Sequence, residues 1–283
     1  DARMKILVSG AKGMLARAVA EYCRSAGDDV LALDRAALDI TDRTACETVI
    51  AAARPDAIIN CAAYTDVDGA ERDEAAAYAA NSDGPANLAA AAKANASRFI
   101  TISTDYVFDG ENTGFYTEDD APNPLGVYAR SKFDGELRTR EENADALIVR
   151  SGWIYGRGGT NFLSVIPELL RAGKHITAIS DSFGTPTFAG DLAKRLRELA
   201  AVGAKGVVHV TNAGEGSTYY GVACETARLL GIDASAVTPI SDADLSRPAP
   251  RPHSSRLATK RLAELGLDEL PDWRDALERF VRA

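Results

Sequence analysis

Short apolar runs alternate with segments of helical periodicity along the first half of the chain. The runs are continuous, which is typical of strands buried on both faces of a parallel sheet. They predict strands at residues 5–9, 30–33, 57–60, 98–103 and 146–150. The spacing of apolar residues between them predicts helices at residues 14–26, 43–53, 73–96 and 128–142. We therefore predict an α/β fold built on a doubly wound parallel sheet.

Two segments depart from this alternation. Gly84-Pro85 lies inside the helical segment 73–96, and we interpret it as an interruption of that helix. Residues 109–127 are rich in Gly, Pro, Asn and acids and predict a long surface loop. Loops of this length are usually functional, so we expect this one to border a site.

Composition narrows the classes of function. The 283 residues are 46% hydrophobic and 26% charged, as in ordinary globular proteins. A net charge of −9 without basic runs argues against nucleic acid as the main partner. No apolar run reaches the roughly 18 residues of a membrane span. Four cysteines and three histidines are scattered without metal-ligand spacing, so we expect reduced thiols, a cytoplasmic location and no metal site.

A glycine-rich turn separates the first predicted strand from the first predicted helix. It reads Gly10-x-x-Gly13-x-x-Ala16. The first glycine permits a tight turn, the second lets a pyrophosphate approach the backbone N–H groups, and a small third residue lets helix and strand pack closely. The turn predicts a dinucleotide site, and the alternative is a plain strand–helix connection.

An acid and a base follow the second predicted strand. Asp34 stands where an acid binds the ribose 2′-OH of a dinucleotide. Arg35 comes next, and an arginine there can accept a 2′-phosphate instead. The pair leaves NADH and NADPH both open, and two solvated loop charges are the alternative.

A tyrosine and a lysine share one face of the helix predicted at residues 128–142. The pattern is Tyr128-x-x-x-Lys132, and positions i and i+4 are neighbours on a helix. We expect the ammonium to lower the pKa of the phenol, so that Tyr128 can donate a proton to a forming alkoxide. Ser103-Thr104, at the end of the fourth predicted strand, would place a hydroxyl beside it. A surface Tyr–Lys pair is the alternative.

These residues together resemble the extended short-chain dehydrogenase/reductases, and within them the dTDP-4-dehydrorhamnose reductases. The resemblance covers nearly the whole chain. The blocks that carry it are Leu38-Asp-Ile-Thr-Asp42, Asn60-Cys-Ala-Ala-Tyr-Thr65-x-Val67-Asp68-x-Ala70-Glu71, Ser103-Thr-Asp-Tyr-Val-Phe-Asp-Gly110, Tyr128-x-x-x-Lys132-x-x-x-Glu136, Arg150-x-x-Trp153-x-Tyr155-Gly156, Gly184-x-Pro186-Thr187 and Arg251-Pro252-x-x-Ser255-x-Leu257. It implies a Rossmann NAD(P)-binding domain over residues 1–150, a smaller, mainly substrate-binding α/β domain over 151–283, and a return of the chain to the first domain at about 186–200.

The resemblance also implies roles for single residues. Tyr128 would be the general acid, assisted by Thr104, and Lys132 would bind the ribose hydroxyls. Substrate would contact Val67, Thr104, Asp105 and Trp153. Besides Tyr128, Lys132, Asp34 and Arg35, the cofactor would contact Gly10, Ala11, Lys12, Gly13, Met14 and Leu15 with its pyrophosphate, Asp39 and Ile40 with its adenine, and Cys61, Ala62, Ala63 and Tyr64 near its nicotinamide ribose.

The implied reaction is hydride transfer from NADPH or NADH to C4 of dTDP-4-dehydro-6-deoxy-L-mannose, which gives dTDP-L-rhamnose. Tyr106 favours simple reduction, because sugar-nucleotide dehydratases similar to this family carry a Glu at that place. Two alternatives stay open. One is a reductase or epimerase of another 4-keto nucleotide sugar, and the other is a non-catalytic NADP-binding regulatory subunit.

Two positions and one segment depart from the pattern of the family. Ala16 replaces the third glycine, and Gly152 stands where a Ser or Thr is usual before the tryptophan. Some rhamnose reductases form metal-bridged dimers through carboxylates near the first helix, but Met14-Leu-Ala-Arg17 contains no acid. We therefore expect a monomer or homodimer without such a bridge.

Overall fold

Strands and helices alternate through most of the structure, a computed structural model that describes residues 3–283. The strands are β1 Lys5–Ser9, β2 Asp29–Leu33, β3 Ala57–Asn60, β4 Arg98–Thr104, β5 Leu147–Ser151, β6 Ile154–Tyr155, β7 Ile176–Ile179, β8 Phe183–Gly184, β9 Thr187–Phe188, β10 Gly206–His209, β11 Asn212–Ala213, β12 Ser217–Thr218, β13 Val237–Ile240 and β14 Leu270–Asp272. The α-helices are α1 Met14–Ser25, α2 Arg43–Ala53, α3 Val67–Ala70, α4 Glu74–Tyr78, α5 Gly84–Ala94, α6 Val127–Glu142, α7 Phe162–Arg171, α8 Ala189–Val202, α9 Tyr219–Leu230, α10 Lys260–Glu264 and α11 Trp273–Arg282.

A six-stranded parallel sheet forms the centre of the fold. Its strands lie in the order β10, β5, β4, β3, β1, β2. After β1 the chain crosses to β2 on one side, and after β3 it crosses to β4 on the other side. A crevice therefore opens between the carboxyl ends of β1 and β3. The predicted α/β fold with a doubly wound parallel sheet is confirmed.

Side chains from the two faces of the sheet enter two separate cores. Ile6 and Val8 of β1 point to the face covered by α1 and α8, where they are fully buried. Leu7 and Ile58 point to the opposite face, which is covered by α2 and α5. Apolar residues at successive positions therefore satisfy both faces, which explains why these strands are continuous apolar runs.

Elements that follow β5 along the chain form a separate core. Helices α7, α9 and α11 and the parallel pair β7–β13 enclose their own core around Tyr155, Ile166 and Trp273. Between these elements the chain comes back to the sheet, because α8 packs on α1 and β10 pairs with β5. Within residues 3–283, we find no helix with the length and apolar character to cross a membrane.

The helical segment predicted at residues 73–96 differs from its prediction. The irregularity is not at Gly84-Pro85 but one turn earlier, where Ala79–Asp83 forms a π-helical turn between α4 and α5. Pro85 lies in the first turn of α5, and because the turn before it is also helical, its missing N–H leaves a carbonyl of that turn without a helical donor. A π-helical turn widens the helix by one residue, and such turns are often found at functional sites.

The π-helical turn packs closely against α6. A Cβ atom on Gly135 of α6 would lie only 2.0 Å from the carbonyl oxygen of Asn81. This oxygen belongs to the backbone, so it can move only if the turn or the helix moves. Glycine at 135 therefore sets the distance between α6 and the rest of the domain.

We expect Gly135→Ala to lower the free energy of unfolding by about 1–3 kcal/mol, the usual cost of overpacking a core. Urea denaturation measures the change. Glu141→Ala, on an exposed position of the same helix, is the control and should change stability by no more than about 0.5 kcal/mol. Equal stability of Gly135→Ala and the parent protein would contradict the close packing.

Candidate active site

The turn after β1 lies against the loop after β3 at the carboxyl edge of the sheet. Gly10 has a φ of +75°, which L side chains rarely adopt. A Cβ atom there would lie 2.8 Å from the backbone nitrogen of Ala62. The crevice between β1 and β3 is where sheets of this topology bind ligands, and glycine is what lets the two backbones meet there.

The start of α1 is suited to an anion. Gly13 is its N-cap, no side chain caps the helix, and no acid lies in its first turn. The first N–H groups of a helix have no helical partner and carry the positive end of its dipole. Gly10, Ala11, Lys12, Gly13, Met14 and Leu15 thus form a backbone cradle that fits a diphosphate.

Two buried amide side chains hold the loop after β3. The Asn60 side-chain oxygen accepts hydrogen bonds from the Ser9 hydroxyl at 2.6 Å and from the Ala62 N–H at 3.1 Å. Asn81, from the π-helical turn, accepts from the Tyr64 N–H at 2.8 Å and donates to the Tyr64 carbonyl at 3.0 Å. These bonds place four predicted cofactor residues in one loop beside the cradle: Cys61, Ala62, Ala63 and Tyr64.

Two cations flank the acid that follows β2. The Lys12 ammonium lies 2.7 Å from Asp34 Oδ2. This ion pair, together with the N–H of Ala37, lowers the pKa of Asp34. The Arg35 side chain is 86% exposed and makes a long contact of 3.4 Å with Asp39. Because the Arg35 side chain is exposed and its contact with Asp39 is long, its guanidinium can turn to meet a further anion, such as a 2′-phosphate.

Asp39 and Ile40 lie between β2 and α2. The Asp39 carboxylate accepts from the hydroxyl and the N–H of Thr41 at 2.8 and 3.0 Å, and these bonds lower its pKa. Ile40 is buried and fills the space above Gly84. Their contact with an adenine stays a prediction.

The predicted proton donor lies beside the end of β4. The buried Thr104 ends this strand, and Tyr128 lies in the first turn of α6, a helix that packs on β4 and on the residues after Thr104. The ring of Tyr106 meets that of Tyr128 edge to face, with centroids 6.2 Å apart. Burial raises the pKa of Tyr128 well above its ordinary value. The phenol is therefore protonated at neutral pH.

The expected effect of Lys132 on this phenol is wrong. We expected the ammonium to lower the pKa of Tyr128, but Lys132 Nζ donates a hydrogen bond to the Ile102 carbonyl at 2.6 Å. The interactions that shift the phenol are burial, Thr104, Asp105 and Tyr106, with burial the largest. Burial also lowers the pKa of Lys132 to about 8.

A buried ion pair supports α6 one turn beyond the lysine. Arg150 of β5 donates from Nε and Nη2 to the Glu136 carboxylate at 2.9 and 2.7 Å. The Ser103 hydroxyl donates to the same carboxylate. Because the pair is bidentate and further hydrogen-bonded, it ties α6 to β4 and β5 without leaving a buried charge unpaired.

Val67 and Trp153 are two of the predicted substrate residues. Val67 is the first residue of α3. Trp153 has a φ of +49°, and its indole stacks on the ring of Tyr219 with centroids 3.8 Å apart. A Cβ atom on Gly184 would lie 2.2 Å from this indole, so glycine is needed there. Trp153 is thus a packed side chain, and its contact with a ligand stays a prediction.

The remaining predicted substrate residue, Asp105, is buried, with only 3% of its surface exposed. One carboxylate oxygen accepts from the Thr104 hydroxyl at 3.2 Å, and the other accepts from the Ser255 hydroxyl. Burial raises its pKa to about 7. Both oxygens thus have protein partners, and the contact of Asp105 with the sugar stays a prediction.

The site therefore combines an anion cradle, a protonated phenol and a neighbouring hydroxyl. Such a set can bind a dinucleotide and move a proton to or from an oxygen atom. Within residues 3–283, we find no cluster of three or more His, Cys, Asp or Glu side chains that could hold a metal ion.

A family model described as RmlD substrate binding domain matches residues 4–283. The chain belongs to this family. A relative named dTDP-4-dehydrorhamnose reductase, from Mycobacterium tuberculosis strain H37Rv, is 41% identical over 99% of this chain and 93% of its own length. A dTDP-4-keto-6-deoxy-D-glucose reductase from Streptomyces niveus is 38% identical over 96% of this chain and 94% of its own. The RmlD-family region includes every site residue described above.

A solved structure supports the same relationship. The crystal structure of dTDP-4-dehydrorhamnose reductase from Bacillus anthracis, in complex with NADP, matches with a TM-score of 0.94. It is 32% identical, and the match covers 99% of both chains. The family resemblance predicted from the sequence is confirmed.

Sequence reasoning gave no site role to three residues that contact the predicted site. Tyr106 packs on Tyr128, Tyr219 stacks on Trp153, and Ser255 binds Asp105. The position of Tyr106, two residues after Thr104, could have indicated it. Ser255 stands in one of the blocks that carry the family resemblance, and that block could have indicated it. Nothing local marks Tyr219, because tertiary folding brings it to the site from far along the chain.

Glu71 caps the helix that carries Tyr128. Its Oε1 accepts from the Val127 N–H at 2.7 Å, and Gly126 leaves the space it needs. We expect Glu71→Ala to lower the free energy of unfolding by about 1 kcal/mol, the usual value of an N-cap, and Glu71→Gln to lower it by less. Urea denaturation measures both. Arg72→Ala, on the exposed neighbour, is the control, and an equal change in it would contradict the capping role.

Proposed function

We propose that this chain catalyses the NADPH-dependent reduction of the C4 ketone of dTDP-4-dehydro-6-deoxy-L-mannose, which gives dTDP-L-rhamnose. The observation that carries the proposal is the placement of Thr104 at the end of β4 together with Tyr128 in the first turn of α6, which packs on β4 and on the residues after Thr104. This pair lies at the same edge of the sheet as the backbone cradle at the start of α1. Membership of the RmlD family, and the reductases named among its relatives, support the sugar and the cofactor.

A bound NADPH supplies the hydride for such a reduction. The chain contributes the groups that receive and orient the substrate. The Thr104 hydroxyl and the Tyr128 phenol face the carbonyl oxygen, where negative charge develops. Because Tyr128 holds its proton at neutral pH, it donates that proton to this oxygen as the ketone is reduced.

The groups at the carboxyl edge of the sheet are also proposed to hold the cofactor. The N–H groups at the start of α1 hold the diphosphate, and Lys12 and Arg35 lie where they can meet a 2′-phosphate. Lys132 binds the ribose hydroxyls. Val67, Asp105 and Trp153 are proposed to border the sugar nucleotide.

Two parts of the chain are proposed to bind the cofactor and the substrate separately. Residues 1–150, with the return of the chain at about 186–200, hold the cofactor, and residues 151–283 mainly hold the substrate. The packing of α8 on α1 and the pairing of β10 with β5 support this division. A cytoplasmic monomer or homodimer is proposed, and the free state of all four cysteines supports that location.

The direct test mixes the protein with NADPH and dTDP-4-dehydro-6-deoxy-L-mannose formed in situ. We expect loss of NADPH absorbance and formation of dTDP-L-rhamnose. Turnover only with another 4-keto sugar nucleotide, such as the one named for the Streptomyces niveus relative, would move the assignment to that sugar. Bound NADPH without turnover on any keto sugar would contradict the proposed activity.

Tyr128→Phe removes the proposed acid while keeping the ring. We expect kcat to fall by roughly 10²–10⁴-fold, the usual contribution of a general acid, while NADPH binding stays nearly unchanged. Lys132→Ala should instead weaken NADPH binding as well as turnover. Steady-state rates and fluorescence titration of NADPH measure the two effects, and full activity of Tyr128→Phe would remove Tyr128 from the role of acid.

The cations beside Asp34 predict the preference for NADPH. We expect Arg35→Ala to raise the Kd of NADPH at least about tenfold, near the 1.5–3 kcal/mol of a hydrogen bond to a charged group, and to leave the Kd of NADH nearly unchanged. Lys12→Ala should also weaken NADPH, because it leaves the Asp34 carboxylate free to repel a 2′-phosphate. Titration of both cofactors measures this, and equal effects on the two would contradict it.

A further inference from the structure

A proline-rich segment from the second half of the chain lies against the first half. Residues 248–255 read Pro-Ala-Pro-Arg-Pro-His-Ser-Ser and lie between β13 and α10, and we call them the proline segment. A proline fixes its own φ and restricts the residue before it, so the alternating prolines limit the backbone of Ala249 and Arg251. The proline segment therefore loses little conformational entropy when it is anchored.

Asp68, the second residue of α3, binds this segment through both carboxylate oxygens. Arg251 donates from Nη1 to Oδ1 at 2.9 Å and from Nη2 to Oδ2 at 2.8 Å. The Ala249 N–H donates to the same Oδ1 at 3.1 Å. The side chains of Asp68 and Arg251 are 29% and 16% exposed, so the pair is partly shielded from water. A bidentate pair of this kind fixes direction as well as distance.

Two glycines let the proline segment approach the first half of the chain closely. A Cβ atom on Gly126, the residue before α6, would lie 3.3 Å from Cδ of Pro250. A Cβ atom on Gly110, where φ is +87°, would lie 2.5 Å from the backbone nitrogen of His253. Because this nitrogen belongs to the backbone, a side chain at position 110 would displace the segment.

The places that the proline segment contacts border the proposed sugar site. Asp68 directly follows Val67, a proposed substrate residue, and Gly126 comes two residues before Tyr128. At the end of the segment, the Ser255 hydroxyl donates to the carboxylate that directly follows β4. The segment thus links α3, the start of α6 and the end of β4, the three elements that carry the proposed acid and its neighbours.

We propose that Asp68 and Arg251 are positioning residues for the sugar nucleotide. Their ion pair holds the proline segment against α3, and the segment forms one wall of the pocket that receives the sugar nucleotide. Both carboxylate oxygens and both terminal guanidinium nitrogens are used within the pair, so the pair acts through the segment. The inference rests on the proposed function, because it adds a wall to the same site.

Loss of the ion pair should affect the two ligands differently. It removes the anchor on α3, while the contacts at Gly110 and Ser255 stay in place. The wall then moves relative to Val67, and the sugar nucleotide binds less tightly. The cofactor cradle is formed by the start of α1, and Tyr128 is held by α6, so NADPH binding and the chemical step should change little.

The test uses Asp68→Asn, which keeps the size of the side chain and one acceptor oxygen but removes its charge. We expect KM for the keto sugar nucleotide to rise roughly tenfold, as for the loss of a hydrogen bond between charged groups. The kcat should change by no more than about twofold, since binding and not the transition state is affected. Steady-state rates measure both, and fluorescence titration should give an unchanged Kd for NADPH.

Asp268→Asn makes the same change at an exposed position between α10 and β14 and is the matched control. It should keep the parent KM. Arg251→Gln should raise KM as Asp68→Asn does. Because the two residues act through one contact, the double variant should have a KM within about twofold of that of the weaker-binding single variant. Effects that multiply in the double variant would contradict action through the pair.

Hydrogen exchange reports on the anchor without turnover. The Ala249 amide bonds to Asp68, so its exchange, followed by NMR, should be faster in Asp68→Asn than in the parent protein and in Asp268→Asn. Unchanged exchange would show that the segment does not depend on the pair, and it would overturn the proposal. Faster exchange with an unchanged KM would also overturn it, because the segment would then be anchored by the pair without forming a wall of the pocket.

Calorimetric titration with dTDP-L-rhamnose separates this inference from the proposed function. Binding by the parent protein with a Kd raised roughly tenfold in Asp68→Asn would support the wall. An equal Kd in the two proteins would overturn the inference and leave the proposed function standing. Absence of binding and of turnover in the parent protein would overturn both. Parallel losses of NADPH binding, kcat and thermal stability in Asp68→Asn would assign the pair to folding alone and overturn the positioning role.

Discussion

The close approach of Gly10 to the backbone of Ala62 is the constraint on which the site depends. It occurs where the chain leaves β1 and β3 in opposite directions, so it lies at the crevice that this strand order opens. A Cβ atom at Gly10 would push the loop after β3 away from the start of α1. The hydrogen bonds of Asn60 and Asn81 then hold that loop in place. The anion cradle therefore follows from sheet topology together with one glycine.

Helix α6 positions Tyr128 and Lys132 relative to this cradle. Glu71 caps its start, Gly135 lets it lie against the π-helical turn, and the Glu136–Arg150 pair fastens it to β5. Each contact lies within two turns of Tyr128 or Lys132, so these contacts fix the positions of the reacting side chains. A phenol placed in this way loses little entropy when a substrate binds.

Much of this arrangement could be predicted from the sequence, because its signals are local. The apolar run at residues 57–60 and the helical spacing at residues 43–53 predict the bounds of β3 and α2 that the structure has. The π-helical turn could not be predicted, because Gly84-Pro85 is a strong local signal and the packing of Asn81 on α6 is not local. The direction of the Tyr128 pKa was predicted wrongly for the same reason. Spacing reveals that Lys132 is near, but it does not reveal that loss of water contact raises the pKa of the phenol or that the Ile102 carbonyl holds the ammonium.

Burial is the physical cause that gives the site its direction of proton transfer. Removal from water disfavours every charged form, so it raises the pKa of Tyr128 and Asp105 and lowers that of Lys132. Tyr128 then holds the proton that a ketone reduction consumes. The C-terminal part of the chain takes part in this burial, because Ser255 binds Asp105 and Arg251 pairs with Asp68. The second half of the chain thus contributes to a site whose tyrosine, threonine and aspartate all lie in the first half.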